Sequence, residues 1–254
     1  MFKYDYRNET WCSLPTVNRK GFAMVSFQHQ LVLIGGITST GRILRDLAVW
    51  DEAHHGWIQD RYPPMNTARM HSTAVAHEIY IAVAGGTSAK SLDIVEVFDS
   101  DSREWHTKAT LPVKVYGATS AFVASEAAWY IMGGNGLKKS VYAAALNQLI
   151  LSNGQTPSAD VWKPLADTQY TNTTVAAFGK SILAIGGKSI GAVKAVRVYF
   201  PGMKMWLRVE KELPRSFYSC AAVVIPTNEL LLIGGCSSTD WCRHMYKGTL
   251  KRGT

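Results

Sequence analysis

Five copies of an apolar run ending in two glycines divide this chain of 254 residues. They are "LVLIGG" ending at Gly36, "IAVAGG" at Gly86, "WYIMGG" at Gly134, "LAIGG" at Gly187 and "LLIGG" at Gly235. The first glycines (Gly35, Gly85, Gly133, Gly186, Gly234) are separated by 50, 48, 53 and 48 residues. A period near 50 residues means that each unit is one supersecondary element stacking on copies of itself. A tryptophan travels with each unit: Trp11, Trp57, Trp105, Trp162 and Trp206, each 24 or 28 residues before the next Gly-Gly.

Further landmarks keep the same register. Tyr4, Trp50, Phe98 and Tyr199 each stand seven residues ahead of a repeat tryptophan. Asp5, Asp51 and Asp99 follow three of them, and Phe200 breaks the rule in the fourth. Leu-Pro or a related pair comes after the tryptophans. Each unit reads locally as β. "STAVAHEIYIAVAGG" and "YSCAAVVIPTNELLLIGG" are paired β-rich runs around a polar turn, the pattern of a hairpin. The almost wholly apolar run before each Gly-Gly suits a strand covered on both faces. "LDIVEVFDSDSREWHTKATLP" supplies a third strand, an Asp-Ser turn, and a fourth strand carrying the tryptophan. No segment shows a 3.6-residue apolar stripe, so helix content is expected to be very low. Four strands per unit make one propeller blade, and a ring of blades protects strand edges.

The repeats mark out one domain over 1–254, with units at roughly 16–64, 65–112, 113–165, 166–214 and 215–250. Residues 2–15 supply third- and fourth-strand patterns for a closing or incomplete blade. The third unit is longest: Trp162 lies 28 residues beyond Gly134, against 19 to 21 elsewhere. Its extra "NQLILSNGQTPSAD" reads as a protruding loop between strands three and four, a tolerated insertion rather than a functional one.

Composition bounds the function classes. Hydrophobic residues make up 47% and charged residues 18%, as in ordinary globular proteins. No apolar run reaches bilayer length and the start lacks a secretory h-region, so a cytoplasmic location is expected. Cys12, Cys220, Cys236 and Cys242 lack metal-ligand or disulfide-scaffold spacing. The sequons at Asn8 and Asn172 read as chance. Net charge is +8, dispersed except for Arg243, Lys247, Lys251 and Arg252 near the C-terminus, so no nucleic-acid module is indicated.

The apolar strand ending in Gly-Gly, the aromatic and the spaced tryptophan resemble the kelch repeat, over essentially the whole chain. The resemblance implies an all-β kelch β-propeller of four-stranded blades. Five Gly-Gly hairpins leave two arrangements open: five blades closed by the Trp11 strand, or a six-bladed type with an incomplete blade, the second favoured as ancestry. The glycines and repeat tryptophans are read as architecture, permitting close backbone approach and filling the space between sheets.

The resemblance further implies a protein-interaction module, of the kind that includes substrate-recognition adaptors, holding a partner over one face. The residues leading into the first strands are the candidates: Lys20 and Phe22, Arg69 and His71, Lys114 and Tyr116, Tyr170, then Arg215 and Tyr218. Aromatics beside Arg or Lys suit an acidic or polar peptide; alternatively they simply cap the central channel. Lys138 and Lys139 after "GGNG" either add to the rim or, the favoured reading, form a solvated turn. A monomer without cofactor or metal, binding neither nucleic acid nor membrane, is expected. The other readings are a propeller enzyme (copper-oxidase-like or a hydrolase) and a structural remnant without a ligand. Against the enzyme, the seven histidines occupy unrelated registers, and no GxSxG or P-loop motif occurs.

Overall fold

The computed structural model describes residues 1–150, 158–237 and 245–250. Six antiparallel sheets follow in chain order. The N-terminal sheet is the hairpin β1 (Phe2–Asp5) and β2 (Thr10–Ser13). The first blade holds β3 (Ala23–Phe27), β4 (Gln30–Ile34), β5 (Leu47–Asp51) and β6 (Gly56–Gln59). The second holds β7 (Thr73–His77), β8 (Tyr80–Ala84), β9 (Ile94–Asp99) and β10 (Glu104–Thr110). The third holds β11 (Thr119–Val123), β12 (Ala128–Met132), β13 (Val141–Ala145) and β14 (Lys163–Leu165). The fourth holds β15 (Thr174–Phe178), β16 (Ser181–Ile185), β17 (Val196–Phe200) and β18 (Met205–Arg208). The last holds β19 (Ala221–Ile225), β20 (Glu229–Ile233) and β21 (Met245–Thr249). The fold is an all-β propeller of five blades, and strands run from the centre outward in sequence order.

The landmarks of the repeat have distinct mechanical duties. Second strands are buried on both faces, as Val32, Leu33 and Ile34 show. The second glycine of a pair donates its N–H to the next blade: Gly36 to the Arg69 carbonyl (2.8 Å), Gly86 to Val115 (2.8 Å) and Gly187 to Phe217 (2.7 Å). A Cβ on Gly35 or Gly85 would stand 2.4 or 2.6 Å from that same carbonyl, at a φ of +61° or +62°, so only glycine fits there. At the third junction the chain instead makes an irregular turn over Gly134–Leu137, and the Thr168 amide donates to Lys139.

Tryptophans tie three of the blades to the segment before them; in the third blade the buried Trp162 indole N–H has no such partner among the described residues. The indole N–H donates to the carbonyl of Pro15 from Trp57, Pro63 from Trp105 and Ala166 from Trp206, at 3.2, 2.8 and 2.8 Å. The aspartates close the outer turns: Asp5, Asp51 and Asp99 accept backbone N–H groups two residues on. Where Phe200 replaces aspartate, a 3₁₀ turn over Pro201–Met203 does the work.

The Trp57–Pro15 bond repeats the Trp105–Pro63 bond. It fixes the N-terminal hairpin as the outer half of a blade preceding the first. Among the described residues β2 pairs only with β1, so it does not finish the sheet of β19–β21. The described strands thus form four complete blades, the three-stranded sheet and the separate N-terminal hairpin, and a Lys247–Glu9 ion pair (2.9 Å) links the hairpin to β21.

The long unit departs from a purely protruding loop. Leu146–Ile150 forms a short helix whose Leu146 and Leu149 are buried with Ala109, Trp129 and Trp162. The tract 151–157, Cys242, His244 and most of the C-terminal basic group lie outside the described residues. No described helix is long and apolar enough to cross a membrane.

Candidate interaction face

The five first strands converge on a central opening of about 480 Å³, lined by Phe22, Ser72, Thr73, Asn172, Ser219 and Cys220 among others. Its wall is largely small and hydroxylic. Thr73 and Ser120 share a hydrogen bond of 2.5 Å, and the Thr174 hydroxyl donates to the Cys220 carbonyl. The segments leading into these strands and the loops after Gly-Gly share one face, because they pair with each other. Lys20, Met70, Tyr116, Thr171 and Tyr218 form isolated bridges with Ile37, Thr87, Asn135, Lys188 and Cys236.

Those bridges fix a register for the mouth. One residue later every blade turns left-handed, at Gly21, His71, Gly117, Asn172 and Ser219, with φ between +50° and +65°. The turn lets backbone bonds run around the opening: His71 N–H to Gly21 O, Gly117 to His71, and Ser219 to Asn172. In this register the nine sequence-predicted residues are not equivalents. Lys20, Tyr116 and Tyr218 share the bridging position and His71 follows it. Phe22 comes two residues after the bridge; Arg69 and Tyr170 stand one before, Lys114 two and Arg215 three before.

One of the nine is a structural residue. Arg69 is fully buried, with Nη1 donating to the carbonyls of Gly85 (2.9 Å) and Ile94 (3.0 Å). Its Nη2 lies 3.1 Å from Oε1 of the equally buried Glu96, in an ion pair too bent to be a hydrogen bond. Burial pulls the Arg69 guanidinium below its usual pKa, and Glu96 opposes the shift. Its true counterpart is Arg19, which binds the carbonyls of Gly35 and Asp46 and the Asp46 carboxylate at 2.6 Å. Arg69 and Arg215, paired by residue type in the sequence, are two positions apart in this register.

The remaining eight reach the mouth. Lys20, His71, Lys114 and Arg215 are exposed; Phe22, Tyr116, Tyr170 and Tyr218 are half-buried. Asn135 donates to the Tyr116 hydroxyl at 2.6 Å, and the Lys188 ammonium sits 5.6 Å above the Tyr218 ring. Among the described residues no group of three or more His, Cys, Asp or Glu side chains is arranged to hold a metal.

No family model matches the chain. It is 32% identical over 144 residues to beta-scruin of Limulus polyphemus and 26% over 168 residues to alpha-scruin of the same animal. An F-box/kelch-repeat protein of Arabidopsis thaliana is 30% identical over 126 residues. The matches cover 51%, 60% and 47% of this chain but only 15%, 18% and 29% of those relatives. The chain is a β-propeller similar to these scruin and kelch-repeat proteins, of whose length it spans less than a third.

Charge divides the two faces of the propeller. On the mouth face, the described lead-in segments and post-glycine loops expose cations that include the ten Lys20, Arg42, Arg45, Lys90, Lys114, Lys138, Lys139, Lys188, Lys194 and Arg215. The described carboxylates of the same segments are fewer: Asp46, held by Arg19, Asp93, and on the lead-ins Asp60, Asp167, Glu210 and Glu212. At the opposite ends of the blades, turns and their flanks carry Glu52, Glu78, Asp99, Asp101, Glu104 and Glu126 against Arg103, Lys180 and Lys204. Most of the loop cations escaped the sequence reading. Counting charges segment by segment after each Gly-Gly would have found them.

Proposed function

We propose that this kelch propeller is a protein-interaction module whose mouth face holds an acidic segment of a partner protein. The observation that carries the reading is the polarity just described: ten exposed cations ring an opening whose opposite face is rich in carboxylates. A field of one sign speeds the encounter of an oppositely charged segment and orients it. Half-buried Tyr116, Tyr218, Tyr170 and Phe22 offer flat apolar surface between the charges, the composition of an interface anchor. The kelch-repeat and scruin relatives support a binding role rather than a catalytic one. Among the described residues, the mouth presents hydroxyls, lysines and arginines without a converging nucleophile and base. An adaptor role, delivering the captured protein to another assembly, is the narrower form of this proposal.

The test is fluorescence anisotropy with a labelled Glu-rich peptide against wild type and two charge-reversal variants. Lys114→Glu with Arg215→Glu should weaken binding about tenfold or more and flatten its salt dependence. Glu78→Lys with Glu104→Lys, on the far face, should leave affinity unchanged. A wild-type protein that ignores the peptide, or prefers duplex DNA to it, contradicts the proposal.

A further inference from the structure

The innermost strand of each blade turns one side toward the sheet before it. On that side Ala74 packs into the core between the first two blades, Val175 into the core between the third and fourth, and Ala222 into the core between the last two. Met24 holds the same register in β3, and Phe22 stands two residues before it. At the position of Phe22 the later blades carry Ser72, Ala118, Thr173 and Cys220. In the first blade both positions hold large apolar side chains; in the other four both residues are smaller.

The sheet before the first blade is the two-stranded N-terminal hairpin, and Met24 meets a cleft of about 490 Å³ there. Phe2 and Leu14 of the hairpin segment and Phe22, Met24, Leu31 and Trp50 of the first blade form its apolar lining. Phe2 is 70% exposed and Met24 56%, while Leu14, Phe22 and Leu31 are half-buried. Neighbouring large apolar side chains left in water mark a contact site. The polar groups beside them are already engaged: the Trp50 indole N–H and the Lys3 ammonium both donate to the Glu52 carboxylate. What the cleft offers a ligand is therefore mainly apolar surface, in a volume within the range of about 300–1,000 Å³ common to binding pockets.

Phe22 and Met24 also line the central opening, so the cleft and the mouth are continuous. We propose that the partner segment held over the mouth carries a bulky apolar residue beside its acidic ones, and that this residue seats in the cleft between Met24 and Phe2. Such a seat presupposes the acidic segment of the reading above and adds a second element to its recognition. Lys20, exposed two residues ahead of Phe22, supplies a cation for a carboxylate next to the seated residue. Charge then brings acidic segments to the face, and the cleft selects among them.

Two labelled Glu-rich peptides of equal charge, one with a central phenylalanine and one with serine in its place, test this in an anisotropy titration. Wild type should bind the phenylalanine peptide about tenfold or more tightly, as expected for burying one such side chain. Met24→Ser and Phe2→Ser, both at exposed positions, should each remove most of that preference and leave the serine peptide's affinity unchanged. In a ¹³C-methyl spectrum the Met24 resonance should shift with the phenylalanine peptide and stay in place with the serine one. Equal affinity for the two peptides, or a preference that survives both substitutions, overturns the proposal with the acidic-segment reading intact. Failure of both peptides to bind overturns the two together. Light scattering that finds wild type dimeric and Met24→Ser monomeric gives the cleft to a second copy and overturns the proposal as well.

Discussion

The junction between the first two blades and the junction between the last two are built from the same wall with different coverings. In the first, Phe27, Val32 and Val49 are sealed by Trp105, whose indole N–H reaches the Pro63 carbonyl. Arg69 and Glu96 pair in the same interface, and Gly36 is bonded to the Arg69 carbonyl. In the last, Phe178, Leu183 and Val198 face a cleft. The Gly187–Phe217 bond persists there, so the two glycine-led fastenings are alike, while among the described residues no tryptophan covers the second wall. Kelch blades therefore join by two separable devices. The backbone bond at Gly-Gly sets the spacing near the channel, and the tryptophan fills the periphery.

That comparison breaks most sharply at Trp105. Trp105→Ala should cost about 3–5 kcal/mol in urea unfolding, the range for emptying a packed aromatic site. Trp11→Ala, on the exposed N-terminal hairpin, should cost less than about 0.5 kcal/mol, the range for surface changes. Equal costs would mean that the first junction is not sealed by its tryptophan. Glu96→Ala tests the other component of the complete junction. Leaving Arg69 buried without its partner should cost about 3–5 kcal/mol in the same assay. A neutral result would show that Arg69 is held by the Gly85 and Ile94 carbonyls alone.

The smallest effect concerns the outer turns. A hydrogen bond from His54 is the main cause holding Asp51 below its ordinary pKa, with the Ala53 amide adding to it. Its contribution is present above the unfolded carboxylate value, about 3.9, and is lost as pH falls through the lower folded one. Asp51→Asn should therefore flatten that slight acid-side loss while leaving stability near neutrality almost unchanged. An NMR titration in which Asp51 protonates at or above the ordinary value contradicts the turn's description.

The propeller was legible from sequence because its landmarks are local and repeated: glycine, aromatic, tryptophan and Leu-Pro each recur at fixed spacing. The mouth was less so. Arg69 and Lys20 look alike in a chain read by residue type, yet they differ by one register position, and one step along an extended chain turns the side chain to the other face. Only the bridges from Lys20 to Ile37 and from Met70 to Thr87 reveal that step. The partner that claims Arg69, Glu96, lies 27 residues away on a third strand, where nothing in its apolar surroundings announces a charge. Leu149 was hidden for a different reason: a helix of five residues is too short to show a periodicity.

Hydrogen exchange in the presence of a captured acidic partner tests most directly that function resides on the mouth face. Slowed exchange should concentrate in the lead-in and post-glycine segments, around Tyr116, Lys188 and Tyr218, with the turns carrying Glu78 and Asp101 unaffected. Protection confined to those turns, or absent from the mouth, would contradict the assignment.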